Sequence, residues 1–111
     1  MNNVSTVYLD SCMIIGLIEG TAQQRRLLKT QLLNRTIYSS ELARLETRLL
    51  AILNNDPDNL GQFDNFFMAC EMIALDRAIF ERATLLRANS KLKTPNALHL
   101  ATAIETNCHE F

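Results

Sequence analysis

The stretch T-V-Y-L-D-S-C-M-I-I-G-L-I-E, Thr6 to Glu19, decides the fold. Thr6–Leu9 is short and rich in residues that favour strands, so it reads as a buried strand. Asp10-Ser11 follow at once, and the apolar run from Met13 reads as a short helix ending near Gly20. A strand that passes through an aspartate into a helix opens an α/β unit, and the same pattern then repeats. Thr21 caps an amphipathic helix over 21–34 that carries Leu27, Leu28, Leu32 and Leu33. Thr36–Tyr38 is a second strand. Ser40 opens a helix with Leu42, Leu45, Leu49 and Ile52 at helical spacing. N-N-D-P-D-N at 54–59 is the clearest loop, and the helix after it sets Phe63, Phe66 and Phe67 on one face. Met72–Leu75 is a third strand, and Asp76 caps a long helix. A last helix starts in T-P-N-A-L-H-L-A-T-A, with Thr94 as its cap and Pro95 in its first turn. The order β-α-α-β-α-α-β-α-α predicts one α/β domain over 1–111, with a central, mostly parallel sheet flanked by helices.

The chain has 111 residues, and 48% of them are apolar, enough for one sizeable core. No Trp is present, so that core is aliphatic. A net charge of -1 gives no global basic field, and any contact with RNA or DNA has to be local. The cysteines Cys12, Cys70 and Cys108 are odd in number, far apart and free of any C-x-x-C pattern. They fit a reduced, cytoplasmic compartment better than secretion. M-N-N-V-S-T has no basic region followed by an apolar run, so no signal peptide is expected, and no segment approaches a membrane span.

In a parallel sheet, ligands bind beyond the carboxyl ends of the strands. Asp10 and Ser11 stand after the first strand, Ser39 and Ser40 after the second, and Asp76 after the third. Helix caps use the same residues at the same places, so spacing alone favours a cap over a site residue at Asp10, and more strongly at Asp76. Glu46 lies about 40° from Leu42 and about 60° from Leu49 around its helix. It is either a solvated margin beside Arg44 and Arg48 or a carboxylate drawn inward. Asn96 falls in line with Leu100 and Ala103, which places its amide on the buried stripe at the start of a helix. It either bonds a neighbouring loop or meets something inside. His99 reads as a hydrogen-bonded residue at the edge of the core. Cys108-His109-Glu110 holds metal-ligating residue types, but no second pair has a matching spacing. No P-loop, G-x-G-x-x-G, G-x-S-x-G or H-E-x-x-H occurs.

Three segments together resemble the PIN domains, and more closely the VapC-type toxins of bacterial toxin–antitoxin pairs. V-Y-L-D-S-C-M-I-I-G-L-I-E resembles the family opening, a hydrophobic strand ending in Asp followed by Ser or Thr. S-S-E-L-A-R-L-E-T-R-L resembles the second motif, whose acid is Glu46. L-K-T-P-N-A-L-H-L-A-T-A is very similar to the third, with Asn96 where the family has Asp. The likeness spans essentially the whole chain.

The resemblance implies a Mg²⁺- or Mn²⁺-dependent endoribonuclease in which carboxylates from distant segments gather at one pocket. It implies Asp10, Glu46 and Asn96 as the metal and catalytic residues, with Ser11 and His99 supporting them from behind. A hard divalent cation takes oxygen ligands, part carboxylate and part water. Asn96 brings an amide oxygen without charge. In the family the chain continues past Phe111 to a further acid, and H-E-F looks like the start of that last strand. A replaced acid and a missing one imply weak metal binding and impaired cleavage. The alternative is an inactive PIN-like module that holds an antitoxin or RNA. The resemblance also implies a homodimer and a cognate antitoxin. The apolar residues of 21–34 and the Phe63/Phe66/Phe67 group are either that docking groove or ordinary core. Arg25, Arg26, Lys29, Arg44 and Arg48 either touch RNA phosphates or form a solvated face.

Overall fold

The computed structural model describes residues 5–108. His109, Glu110 and Phe111, read from the sequence as the start of a last strand, lie outside the described residues, as do residues 1–4. The elements run β1 (Ser5–Tyr8), α1 (Ser11–Glu19), α2 (Ala22–Leu32), β2 (Arg35–Ser40), α3 (Glu41–Leu53), α4 (Pro57–Met68), β3 (Glu71–Ile73), α5 (Arg77–Ala88) and α6 (Thr94–Glu105). This is the α/β order expected from the sequence. The described strands form one parallel sheet in the order β1-β2-β3, with Tyr8 opposite Tyr38 and Ser40 opposite Ile73.

Because side chains alternate along a strand, the sheet serves two different interiors. Val7, Leu9, Ile37 and Met72 face one way, against Ile14 and Leu17 of α1, Ala43 and Ala51 of α3, and Phe63 and Phe67 of α4. Ile73 belongs to the other interior, where Ile79 and Ala83 of α5 meet Ala97, Leu98 and Ala101 of α6. Local chemistry fixes the joints. Asp10, Thr21, Ser40, Asp56 and Asp76 each accept a bond from the backbone N–H three residues on and so cap their helices. Asn34 and Asn55 take positive φ values of 60° and 50° where α2 and α3 end, a region asparagine tolerates. A Cβ at Gly20 would collide with the Gly16 carbonyl, which explains why α1 stops at a glycine.

Three expectations need correction. The cap of α6 is Lys93, not Thr94: the Lys93 carbonyl accepts the Ala97 N–H at 2.9 Å, and the Thr94 hydroxyl accepts instead from Arg87 Nη1. Asn96 is exposed, not on the buried stripe. It lies in the first turn, ahead of the buried run that begins at Ala97. On α3 the leucine spacing does not mark the core. Ala43, Thr47 and Ala51 are buried, while Leu45 and Leu49 are 59% and 50% exposed. Small residues four apart make a flat face that lets α3 lie close to α1 and α4, Leu45 and Leu49 are turned out, and only Leu42 of the predicted stripe packs inward, against the second interior. Of the two readings left open for the phenylalanines, ordinary core holds for Phe63 and Phe67, which are fully or nearly fully buried.

Candidate active site

Asp10 is placed by the end of β1. Leu9 still pairs with β2 through its N–H to the Tyr38 carbonyl at 2.9 Å, and Ser39 Oγ donates to the Leu9 carbonyl at 2.9 Å. The next residue is therefore held at the sheet's carboxyl edge. There Asp10 is half-buried, and its Oδ1 accepts the Met13 N–H at 3.0 Å. Ser11 follows as the first, buried residue of α1.

Glu46 arrives from α3, one turn past its start. It is half-buried, and the neighbour it meets is on α6: Oε1 lies 2.7 Å from His99 Nε2. The sequence left Glu46 between a solvated margin and an inward carboxylate; the imidazole makes it the inward one. His99 is 2% exposed, and its Nδ1 lies 2.6 Å from the Tyr8 hydroxyl. That hydroxyl is in turn 2.8 Å from Ser40 Oγ, which accepts the Ala43 N–H at 3.2 Å. Residues up to 91 positions apart thus form one buried polar chain.

The electrostatics of Tyr8 report who else stands nearby. Burial pushes its phenol well above the ordinary range, the Ser40 hydroxyl opposes that, the charges of Asp10 and Glu46 add to it, and the Thr102 hydroxyl opposes it weakly. The carboxylates of Asp10 and Glu46 therefore both act on one hydroxyl at the end of β1. Sequence reasoning missed Tyr8 and Ser40 as parts of the site. Their signal was present, since Tyr8 stands two residues before Asp10 and Ser40 directly before α3. Yet Tyr8 reads as an ordinary strand former and Ser40 as a cap.

Asn96 stands on α6 one turn before His99, exposed. Among the described residues no group of three or more His, Cys, Asp or Glu side chains is placed to hold a metal. His109 and Glu110 of the C-H-E stretch lie outside the described residues. Asp10 and Glu46 each have one carboxylate oxygen engaged by the protein and one left over. These are hard oxygen donors, which suit Mg²⁺ or Mn²⁺ and leave much of a coordination sphere to water.

The basic residues divide. Arg25, Arg26 and Lys29 are exposed on α2, and Arg44 on α3. Arg48 is bonded to Asp64 of α4, which holds its guanidinium even more firmly protonated. It ties α3 to α4, and this correction removes it from a free phosphate-binding face.

The match to the PIN domain family model covers residues 7–111. The fold is similar to a chain of a toxin–antitoxin complex from Klebsiella pneumoniae, with a TM-score of 0.76 and 23% identity over 96% of this chain and 83% of that one. It is also similar to a chain of VapBC2 from Rickettsia felis bound to a DNA fragment from their promoter, with a TM-score of 0.75 and 16% identity over 95% and 84%. No curated protein matches the chain. A family match along nearly the whole chain, on a three-stranded parallel sheet, makes this chain a member of the PIN domain family.

Proposed function

We propose that this PIN domain is the toxin of a type II toxin–antitoxin pair, a VapC-type, Mg²⁺- or Mn²⁺-dependent endoribonuclease whose activity is lowered by Asn96. The observation that carries this reading is the buried chain from Glu46 through His99 to Tyr8 at the end of β1, the strand that Asp10 follows at the sheet's carboxyl edge. Carboxylates repel one another, and a divalent cation between them offsets that repulsion. Asp10 and Glu46 would hold the cation directly or through water, and Asn96 would offer its amide oxygen. The cation would supply an acidified water and charge neutralisation at the phosphate. Ser11, the buried first residue of α1, would orient Asp10 or hold a water beside it. Arg25, Arg26, Lys29 and Arg44 are the exposed cations available to RNA phosphates, and their contribution would fade with salt.

For the antitoxin we assign the apolar groove where Leu17 and Ile18 of α1, Leu32 and Leu33 of α2, and Phe66 of α4 come together. For a homodimer we assign the outward stripe of Leu45, Leu49 and Ile52 on α3. The compartment is the cytoplasm, consistent with the reduced thiols; among the described residues no helix is long and apolar enough to cross a membrane.

Restoring the acid tests the reading. Asn96→Asp adds a negative ligand and is expected to tighten Mn²⁺ on the order of tenfold and to raise Mg²⁺-dependent RNA cleavage with it. Electron paramagnetic resonance of free Mn²⁺ and cleavage of a labelled RNA measure the two effects. A second reading, a silent module that only binds antitoxin or RNA, is favoured by the uncharged Asn96. It prevails if Asn96→Asp changes neither quantity.

A further inference from the structure

We propose that Tyr8 and His99 are positioning residues that fix the Glu46 carboxylate through one directed hydrogen-bond chain, so that Tyr8 governs the site's divalent-cation affinity without touching the cation. The inference rests on the reading of Glu46 as a cation ligand.

The direction of the chain follows from what each atom can do. A carboxylate only accepts, so the 2.7 Å contact requires a proton on His99 Nε2. In the neutral ring Nδ1 is then an acceptor, and the Tyr8 hydroxyl at 2.6 Å donates to it. The Tyr8 oxygen is left to accept from the Ser40 hydroxyl at 2.8 Å, and the Ser40 oxygen accepts the Ala43 N–H. Every proton points along the chain toward Glu46. The chain starts in the first turn of α3, crosses β1 and α6, and returns to α3 at Glu46. A flexible glutamate is thus tied back to its own helix through partners on three other elements, Ser40 of β2, Tyr8 of β1 and His99 of α6.

Burial gives the chain its stiffness. Tyr8 and Ser40 are 0% exposed and His99 is 2% exposed, so none of them can exchange its partner for water. Removing one link strands the next polar atom in the interior. Only Glu46, at the end, reaches toward solvent, with 29% of its side chain exposed. A ligand held in one orientation by a buried donor binds a cation better than one free to turn. Partners of this kind are commonly worth about 10–100-fold in metal affinity.

The test uses the full chain and Mn²⁺ alone. Tyr8→Phe deletes one oxygen atom, and His99→Leu deletes the donor to Glu46. Each is expected to weaken Mn²⁺ about tenfold or more. His99→Gln retains an N–H donor near the Nε2 position and is expected to stay closer to the unaltered chain. A second readout needs no metal: the ¹⁵N resonances of the His99 ring should show a protonated Nε2 and an accepting Nδ1, with the Nδ1 signal displaced in Tyr8→Phe. Glu46→Gln separates premise from inference. If Glu46→Gln abolishes binding while Tyr8→Phe and His99→Leu bind as the unaltered chain does, the positioning role is overturned and the cation reading stands. If Glu46→Gln leaves affinity unchanged, both fall. Should Tyr8→Phe fail to fold, equal affinities in His99→Gln and His99→Leu overturn the proposal, and a tighter His99→Gln supports it.

Discussion

Asp10 and Asp76 are the same residue in the same local role. Each follows a strand of the one parallel sheet, each has extended backbone, and each accepts the N–H three residues on at 3.0 Å to cap a helix. Their surroundings differ. Leu9 is still bonded to β2, so Asp10 emerges directly from the sheet edge, half-buried, within electrostatic reach of Tyr8. Ala74 and Leu75 separate Asp76 from the end of β3, and it is exposed. A cap and a site residue are therefore not alternatives. Capping uses one carboxylate oxygen and fixes the side chain, which is a good state for a ligand. Company from elsewhere in the chain then decides whether the other oxygen has work to do.

The largest contrast follows from that. Asparagine caps as well as aspartate does, so Asp10→Asn and Asp76→Asn both keep their helices. Asp10→Asn removes half of the paired charge beside Glu46, and Mn²⁺ affinity and RNA cleavage should fall by about 100-fold or more, beyond what loss of an orienting partner causes. Asp76→Asn should change neither. Equal losses in the two variants would break the distinction and send Asp10 back to being a cap alone.

Alanine asks the complementary question. Without a side-chain acceptor both caps are lost, and each variant should cost about 1 kcal/mol of stability in urea unfolding. The two aspartates should therefore look alike in stability and unlike in cation binding. A much smaller cost at Asp10 would mean that relief of repulsion from Glu46 offsets the lost cap, which would sharpen the case that the carboxylates are close.

How much of this the sequence could tell follows from what each signal measures. The order of elements along the chain, the helix starts at Thr21, Ser40 and Asp76, and the stop at Gly20 are local chemistry, and they were legible. Side-chain period was less reliable. On α3 the leucines at 45 and 49 outshine Ala43, Thr47 and Ala51, yet the small residues make the close contact. Hydrophobicity measures preference for burial and says little about which face fits a neighbour. Asn96 failed for a related reason: a helical stripe extrapolated into the first turn runs past the end of the core. The Tyr8–His99–Glu46 chain was beyond reach, because its bonds span 91 and 53 residues and nothing local marks a tyrosine in a strand as a partner of a distant histidine.

The smallest contrast lies in two thiols, one just past Asp10 and one at the amino end of β3. Cys12 stands two residues past Asp10 in the first turn of α1 and is exposed. Cys70 directly precedes β3, whose exit leads to Asp76; it is half-buried, and its thiol donates to the Phe66 carbonyl at 3.3 Å. Burial pushes the Cys70 thiol up to about 11 from an ordinary 9.0. The thiolate is the reactive form, so Cys12 should react with a disulfide reagent at neutral pH well before Cys70 does. The same shift has a sign in stability. The fold favours the protonated thiol, so this contribution is intact below about pH 9 and is lost as pH rises through about 11. Cys70→Ala should flatten that alkaline decline, whereas Cys12→Ala should leave it in place. An alkaline decline unchanged in Cys70→Ala would show that the opening of β3 is wetter than its neighbours imply.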